Sequence, residues 1–396
     1  MAFDKVRINE YYGLTKETFS IDPINDSAQY FGNQKLSDRI RARIESDFAQ
    51  ARAVPKFYVL GDFGTGKTHT LLHIAHVLEN DTLEEVEPIY LDIAPLRHKE
   101  RFATLQNRML DAIGLDPLGS AAERFVSSVK GDKAVGIQEM LKYGDVTLKS
   151  SQANVFRNIL FGGRQRQLSW EWLKGAVLSS ADRESLQVTK TLTQPGEFVH
   201  VLLNAAILYR EGTGRRIVFL LDEVEATRDV TDGDSQAELI FGFRELFDDT
   251  NNILGLIAAI QQEGGTEIGE VMSNEAVFRR IGREMGVFDL TSLVREPVEL
   301  QKFVDDLLRY LIKQDEAAKI IEDEGLECKV EHFPFSEAAL VTLNDGLQSQ
   351  PNLLRPSGII QTLATGAIEG WRRRKHHDKH VIVTPEIMEE VLYPGH

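Results

Sequence analysis

At 396 residues, with 42% hydrophobic and 27% charged residues, the chain has ordinary globular composition and enough apolar material for one large or two smaller domains. No apolar run reaches the roughly 18 residues of a transmembrane helix, and the N-terminus Met1-Ala-Phe-Asp-Lys-Val-Arg lacks the apolar core of a secretory signal, so a cytoplasmic protein is expected. The single cysteine, Cys328, excludes an intrachain disulfide and a cysteine-based zinc site, and a formal net charge of −16 disfavours wholesale coating of nucleic acid, leaving that role to a local basic patch.

In chain order, Tyr11-Tyr-Gly-Leu-Thr-Lys-Glu-Thr-Phe19 and a loop through Pro23 and Asn25 precede a helical pattern over Lys35 to Ala51, with Leu36, Ile40, Ile44 and Phe48 four apart. Lys56-Phe-Tyr-Val-Leu60 reads as a short strand that runs directly into a Gly-rich segment, and Leu71 to Leu78 as the helix leaving it. Pro88 to Ala94 reads as a second strand and Arg101 to Ile113 as the helix after it. From Leu115 to about Glu197 the periodicity weakens into short helical fragments, and helix resumes over Phe198 to Tyr209.

Arg216-Ile-Val-Phe-Leu-Leu221 is the clearest buried strand, running into Asp222-Glu223. Helix Ala237 to Phe247, strand Ile253 to Ile260, helix Glu275 to Ile281 and strand Val287 to Leu290 follow. Strands alternating with helices predict an α/β fold with a parallel sheet covered on both faces. After Pro297 only helical patterns appear until Val381-Ile-Val383, which sets a boundary near residue 296. The expected division is an N-terminal segment 1–55, a core 56–295 with a helical insertion at about 115–197, and a helical domain 296–396.

Gly61-Asp62-Phe63-Gly64-Thr65-Gly66-Lys67-Thr68 matches the phosphate-loop pattern G-x-x-x-x-G-K-[ST] at every fixed position. Glycines let backbone N–H groups turn inward around a β-phosphate, and the following helix presents its positive N-terminus. Lys67 is placed to reach the β- and γ-phosphates and Thr68 to offer its hydroxyl to Mg²⁺; His69, next along, is grouped with the loop as nucleotide-binding. A carboxylate at the end of another strand is then needed for the metal, and Asp222 fits, with Glu223 beside it to polarise the attacking water. ATP and Mg²⁺ are the expected cofactors.

These residues resemble an AAA+ ATPase of the branch containing origin-recognition and helicase-loader proteins. The resemblance implies a parallel-sheet P-loop core with a C-terminal helical lid, an ATPase activity, and a homo-oligomer. It puts sensor 1 at Gln261 or Gln262, at the end of strand Ile253–Ile260, although Asn or Thr is more usual there. It puts an arginine finger, acting in a neighbouring subunit's site, in Ala276-Val-Phe-Arg279-Arg280-Ile-Gly-Arg283, with Arg279 or Arg280 as the finger. It puts the lid's nucleotide contact at Arg355, where Pro356 opens a helix. Tyr11–Phe19 and Tyr30-Phe31-Gly32 stand where related ATPases pack beside the adenine, a role open alongside plain core packing.

About 155 positions separate Lys67 from Asp222, far more than two strands and their helices need, and the insertion holds most of the excess. Within it Leu168-Ser-Trp-Glu-Trp-Leu-Lys-Gly175, with Leu221-Asp-Glu-Val-Glu225 later, resembles the ATP-binding proteins of bacterial BREX-type phage-defence loci. Trp170 and Trp172 fit core anchoring of the insertion as well as partner binding. Trp371-Arg372-Arg373-Arg374-Lys375 through His380 is the dense basic cluster; it suits a phosphate backbone or a solvated helix end. The few residues after Leu392 leave little room for a winged-helix domain. The expected function is Mg-ATP hydrolysis that drives assembly on, or loading of, a DNA-acting helicase or nuclease. A nucleotide-dependent DNA- or protein-binding scaffold with little or no hydrolysis is the alternative, and a small-molecule kinase would leave the lid and finger features unexplained.

Overall fold

The fold is taken from a computed structural model, which describes residues 7–32, 34–49, 54–80, 86–93, 101–128, 150–160, 162–249, 253–261, 286–290, 296–374, 377 and 379–394. Its elements in chain order are α1 (Ile8–Tyr12), α2 (Gln34–Ala49), β1 (Lys56–Gly61), α3 (Lys67–Asn80), β2 (Val86–Asp92), α4 (Phe102–Ile113), α5 (Leu115–Ser128), α6 (Ser150–Ile159), α7 (Gly163–Leu173), α8 (Ser180–Leu186), α9 (Pro195–Thr213), β3 (Arg216–Asp222), α10 (Gly233–Asp249), β4 (Gly255–Gln261), β5 (Val287–Asp289), α11 (Pro297–Leu311), α12 (Gln314–Glu324), α13 (Glu337–Ser349), α14 (Pro356–Arg373) and α15 (Pro385–Leu392). The chain divides into two compact units: residues 1–38, 61–70 and 289–396 form the first, and 39–60 with 71–288 the second.

The second unit carries the sheet, in the order β2-β3-β4-β1-β5. β2 and β4 both pair parallel with β3, Asp92 standing opposite Asp222. Ile217 to Leu221 are fully buried, as expected of a parallel strand covered on both faces. Helix α9 explains how the insertion joins this core. Pro195 occupies its first turn, Gln194 and Glu197 form a capping box, and nearly every residue from Phe198 to Tyr209 is buried. A Cβ at Gly212 would lie 1.9 Å from the Ala121 carbonyl oxygen, so glycine is what lets α5 press against α9. The described residues of 115–197 include helices α5 to α8, and their buried apolar residues belong to the same continuous core as the sheet. Trp170 and Trp172 are buried in that core, and the Trp172 indole donates to the Lys190 carbonyl at 2.9 Å. Core anchoring therefore accounts for the tryptophan pair.

The first unit is built on α11, whose Leu300, Phe303, Val304, Leu307, Leu308 and Leu311 follow a 3.6-residue stripe and are all buried. The expected 1–55 segment is divided between the units, and several hydrogen bonds of residues 11–32 run to the C-terminal part of the chain. Thr15 N donates to Leu311 O, Lys313 N to Gly13 O, Tyr12 Oη to Val381 O, and Val381 N to the Tyr11 hydroxyl. Buried Asp26 accepts from Tyr310 Oη at 2.7 Å and pairs with Lys16. Among the described residues no helix is long and apolar enough to cross a membrane. The protein is thus an α/β fold, a parallel-sheet P-loop core followed along the chain by a set of C-terminal helices, as the resemblance implies.

Candidate functional site: a phosphate loop and an acidic strand end

The loop between β1 and α3 takes its shape from two left-handed glycines, Gly64 at φ +78° and Gly66 at φ +90°. A Cβ at Gly66 would meet no atom within 4 Å, so open space lies on that side of the loop. Inside the loop Thr65 Oγ1 donates to Asp62 O at 2.8 Å, and the buried Lys67 ammonium donates to the carbonyls of Gly61 and Asp62 at 3.1 and 3.2 Å. Lys67 is the first residue of α3 and Thr68 the second, which puts both in the helical turn whose N–H groups favour an anion. Phe63 stands 70% exposed at the tip.

Two groups at the start of α14, its N-cap Arg355 and Ser357 in its first turn, reach this loop. The Arg355 guanidinium donates to Phe63 O at 2.8 Å, and Ser357 N donates to Gly64 O at 3.1 Å. Arg355, expected at the nucleotide, is here bonded to the loop's own backbone. The N-terminal segment packs beside it. His69 stacks near Tyr30 and Phe31, with ring centroids 6.3 and 5.7 Å away, and its Nε2 lies 2.7 Å from Gln29 O. A carbonyl only accepts, so Nε2 carries the proton. Burial pulls the imidazole's pKa down, against the Gln29 hydrogen bond and the Asp26 charge, and keeps it neutral. Burial also pushes the Tyr30 phenol up to about 12. The Tyr30–Phe31 segment is thus packed against the phosphate-loop helix.

In the second unit Asp222 ends β3 and is 2% exposed. Its Oδ1 accepts from Glu223 N and its Oδ2 from the Tyr90 hydroxyl, each at 2.9 Å. Glu223 is exposed and holds φ +56°, ψ +40°, a left-handed conformation that a non-glycine residue adopts at a cost of about 1–2 kcal/mol. Strain of this kind concentrates at functional residues. Gln261 closes β4 half-exposed, and its N–H donates to Glu225 Oε2 at 3.0 Å. Gln262, Arg279, Arg280 and Arg283 lie outside the described residues.

The donors suit the expected groups. Glycine backbone with open space beside it suits a polyphosphate. The Thr68 hydroxyl in the first unit and the Asp222 carboxylate in the second are each a hard oxygen donor of the kind Mg²⁺ takes. Three contributors escaped the sequence reading: Tyr90, Glu225 and the Ser357 N–H. The one available signal was that β2 and β3 both end in Leu-Asp, which aligns Asp92 with Asp222.

The basic cluster is largely engaged. Arg373 pairs with Glu369 and, at 2.5 Å, with Glu390. Arg374 is 4% exposed, its guanidinium 3.7 Å from the Trp371 ring centroid. Lys379 donates to Glu324 O, and His380 lies 2.6 Å from Glu324 Oε1. Arg372 keeps an exposed side chain, 3.5 Å from Glu369, and Lys375 lies outside the described residues.

No protein-family model matches the chain, and no curated protein does. Among solved structures it is similar to the Orc1 protein of Aeropyrum pernix in complex with DNA, at 12% identity and a TM-score of 0.43 over 92% of this chain. The match spans 65% of the Orc1 chain's own length. It is also similar to a Walker-type ATPase of Pyrococcus abyssi, at 13% identity and a TM-score of 0.36, over 89% of this chain and 71% of that one.

Proposed function

We propose that this chain binds and hydrolyses Mg-ATP as an AAA+-type ATPase, and that nucleotide state controls its assembly on a DNA-acting partner such as a helicase or nuclease. The observation that carries the reading is the phosphate loop itself: two left-handed glycines, open space at Gly66, and Lys67 and Thr68 in the first turn of α3. Bound Mg²⁺ would neutralise charge on the β- and γ-phosphates. Loop N–H groups and Lys67 would hold the phosphates, while Thr68 and Asp222 would hold the metal. Glu223 draws a proton from the attacking water, and its exposed, strained placement at the end of a buried strand supports that role over a structural one.

The partner half of the reading favours protein contact over direct DNA contact through the basic cluster, because Arg373 and Arg374 are committed to Glu369, Glu390 and Trp371. A phage-defence setting rests on the sequence likeness around Trp170, Trp172 and Leu221–Glu225 alone. Homo-oligomeric assembly rests on Arg279 or Arg280 as a finger acting in trans.

Calorimetry and turnover assays test this. Lys67→Ala should abolish tight ATP binding, and ATP affinity equal to the parent's would overturn the site assignment. Arg279→Ala with Arg280→Ala should bind ATP but lose on the order of 10³-fold in turnover. Mixing that variant with Lys67→Ala should restore partial activity if the finger acts between subunits.

A further inference from the structure

β2 and β3 run parallel with Tyr90 opposite Leu220 and Asp92 opposite Asp222. Side chains alternate along a strand, so Tyr90, Asp92, Leu220 and Asp222 share one face of the sheet. Tyr90 and Asp222 are diagonal neighbours on that face, a separation that a tyrosine can span. The Tyr90 hydroxyl does so, donating to Asp222 Oδ2 at 2.9 Å. Glu223 N donates to the other oxygen at the same distance. Donors on both oxygens fix the carboxylate's plane as well as its position.

We infer that Tyr90 is a positioning residue for the metal-holding carboxylate: its hydroxyl sets the rotamer in which Asp222 receives the magnesium of a bound nucleotide. The inference rests on the Mg-ATP reading above. A carboxylate on a strand end can rotate about its last torsion, which is broad and roughly two-fold. A metal shell with near-octahedral demands is served only by a narrow range of those orientations. Holding Asp222 beforehand removes the cost of ordering it when the metal arrives. The phenol suits the task because its hydroxyl is a neutral donor that brings no charge of its own to the carboxylate. A phenylalanine would pack in the same space and lose only the donor.

The test is ADP affinity by calorimetry, in excess EDTA and in excess Mg²⁺, for the parent, Tyr90→Phe, Asp222→Asn and the double variant. The ratio of the two affinities reads the metal's contribution without requiring turnover. Tyr90→Phe should leave the EDTA affinity unchanged and reduce the magnesium enhancement about tenfold, the low end for loss of an outer-shell partner. In the Asp222→Asn background the same substitution should do little more, because the hydroxyl acts through the carboxylate. Equal enhancement in Tyr90→Phe and the parent overturns the inference while leaving the nucleotide reading intact. So does a Tyr90→Phe loss that is as large in EDTA, or one that adds in full to the Asp222→Asn loss. A parent that gains nothing from magnesium overturns the proposed function and the inference together.

Discussion

Gly64 and Gly66 share a left-handed backbone but differ in what surrounds them, and that difference predicts how two alanine substitutions separate. At Gly66, φ +90°, a methyl meets nothing within 4 Å, so Gly66→Ala costs the backbone strain alone, about 1–2 kcal/mol. At Gly64, φ +78°, the methyl would sit 2.1 Å from Ser357 Oγ and 3.3 Å from Arg355 Cδ. Ser357 must then turn its hydroxyl away and its Cβ, at 3.1 Å, must give ground, which strains the Ser357 N–H bond to Gly64 O and adds up to about 1 kcal/mol. Each kcal/mol lowers the melting midpoint of a domain of 150–250 residues by about 2–4 °C, so Gly64→Ala should melt measurably below Gly66→Ala by scanning fluorimetry. Nucleotide binding should fall in both. In Gly66→Ala the methyl occupies the space that the phosphates need, and losing two charge-assisted N–H contacts at about 1.5 kcal/mol each weakens binding roughly 100-fold. A Gly66→Ala protein that bound Mg-ATP like the parent would refute the placement of phosphate beside Gly66. Equal melting of the two variants would refute the role given to the α14 contact.

Glu223→Gln should retain ATP binding and lose at least about 100-fold in turnover, since an amide cannot take a proton from water; single-turnover kinetics near the parental rate would remove Glu223 as the base. His69 carries a pH prediction. Its folded pKa is depressed by burial, so below the unperturbed value of about 6.5 the unfolded chain takes up a proton that the folded one resists, and stability falls as pH drops through that value. Urea midpoints at pH 7.5 and 5.5 should differ less in His69→Gln than in the parent, and an unchanged difference would assign the slope elsewhere. Arg374→Ala should cost about 1–2 kcal/mol through loss of its stacking on Trp371, while exposed Arg372→Ala stays within about 0.5 kcal/mol; equal denaturation midpoints would contradict the buried placement of Arg374.

The legible parts of this chain are those whose physics is local. The glycine and lysine spacing of Gly61 to Thr68 is set by the geometry of a phosphate, and β3 announces itself because both its faces are buried. The insertion's helices were not separable by periodicity, since α6, α7 and α8 are short and their buried faces are defined by helices far away in sequence. The cations at 372–374 read locally as a charged helix end. The Arg373 bond to Glu369, one turn earlier, was within reach of helical spacing, whereas its bond to Glu390 depends on how α14 meets α15. Tyr90 was invisible for a related reason: its value comes from the register of β2 on β3, which neither strand encodes alone. Tyr11 and Tyr12 lie in an aromatic segment whose pattern suits adenine contact and core packing alike; both are buried, and their hydroxyls bond the backbone of Val381, contacts 370 and 369 residues along the chain.

The contacts at Phe63 and Gly64 give α14 a mechanical character. An 18-residue helix is a rigid rod of about 27 Å, and its first turn is bonded to the loop expected to wrap the phosphates. A ligand that shifted those two loop carbonyls would pull on the rod at that end. A tilt of about 5° there displaces the far end by roughly 2 Å, as a 1.5 Å rise per residue dictates. That end carries Trp371 and the arginines clasped to Glu369 and Glu390. A displacement of that size would be comparable with the 2.5 Å that separates Arg373 from Glu390, so a tilt at the loop would be felt at that clasp.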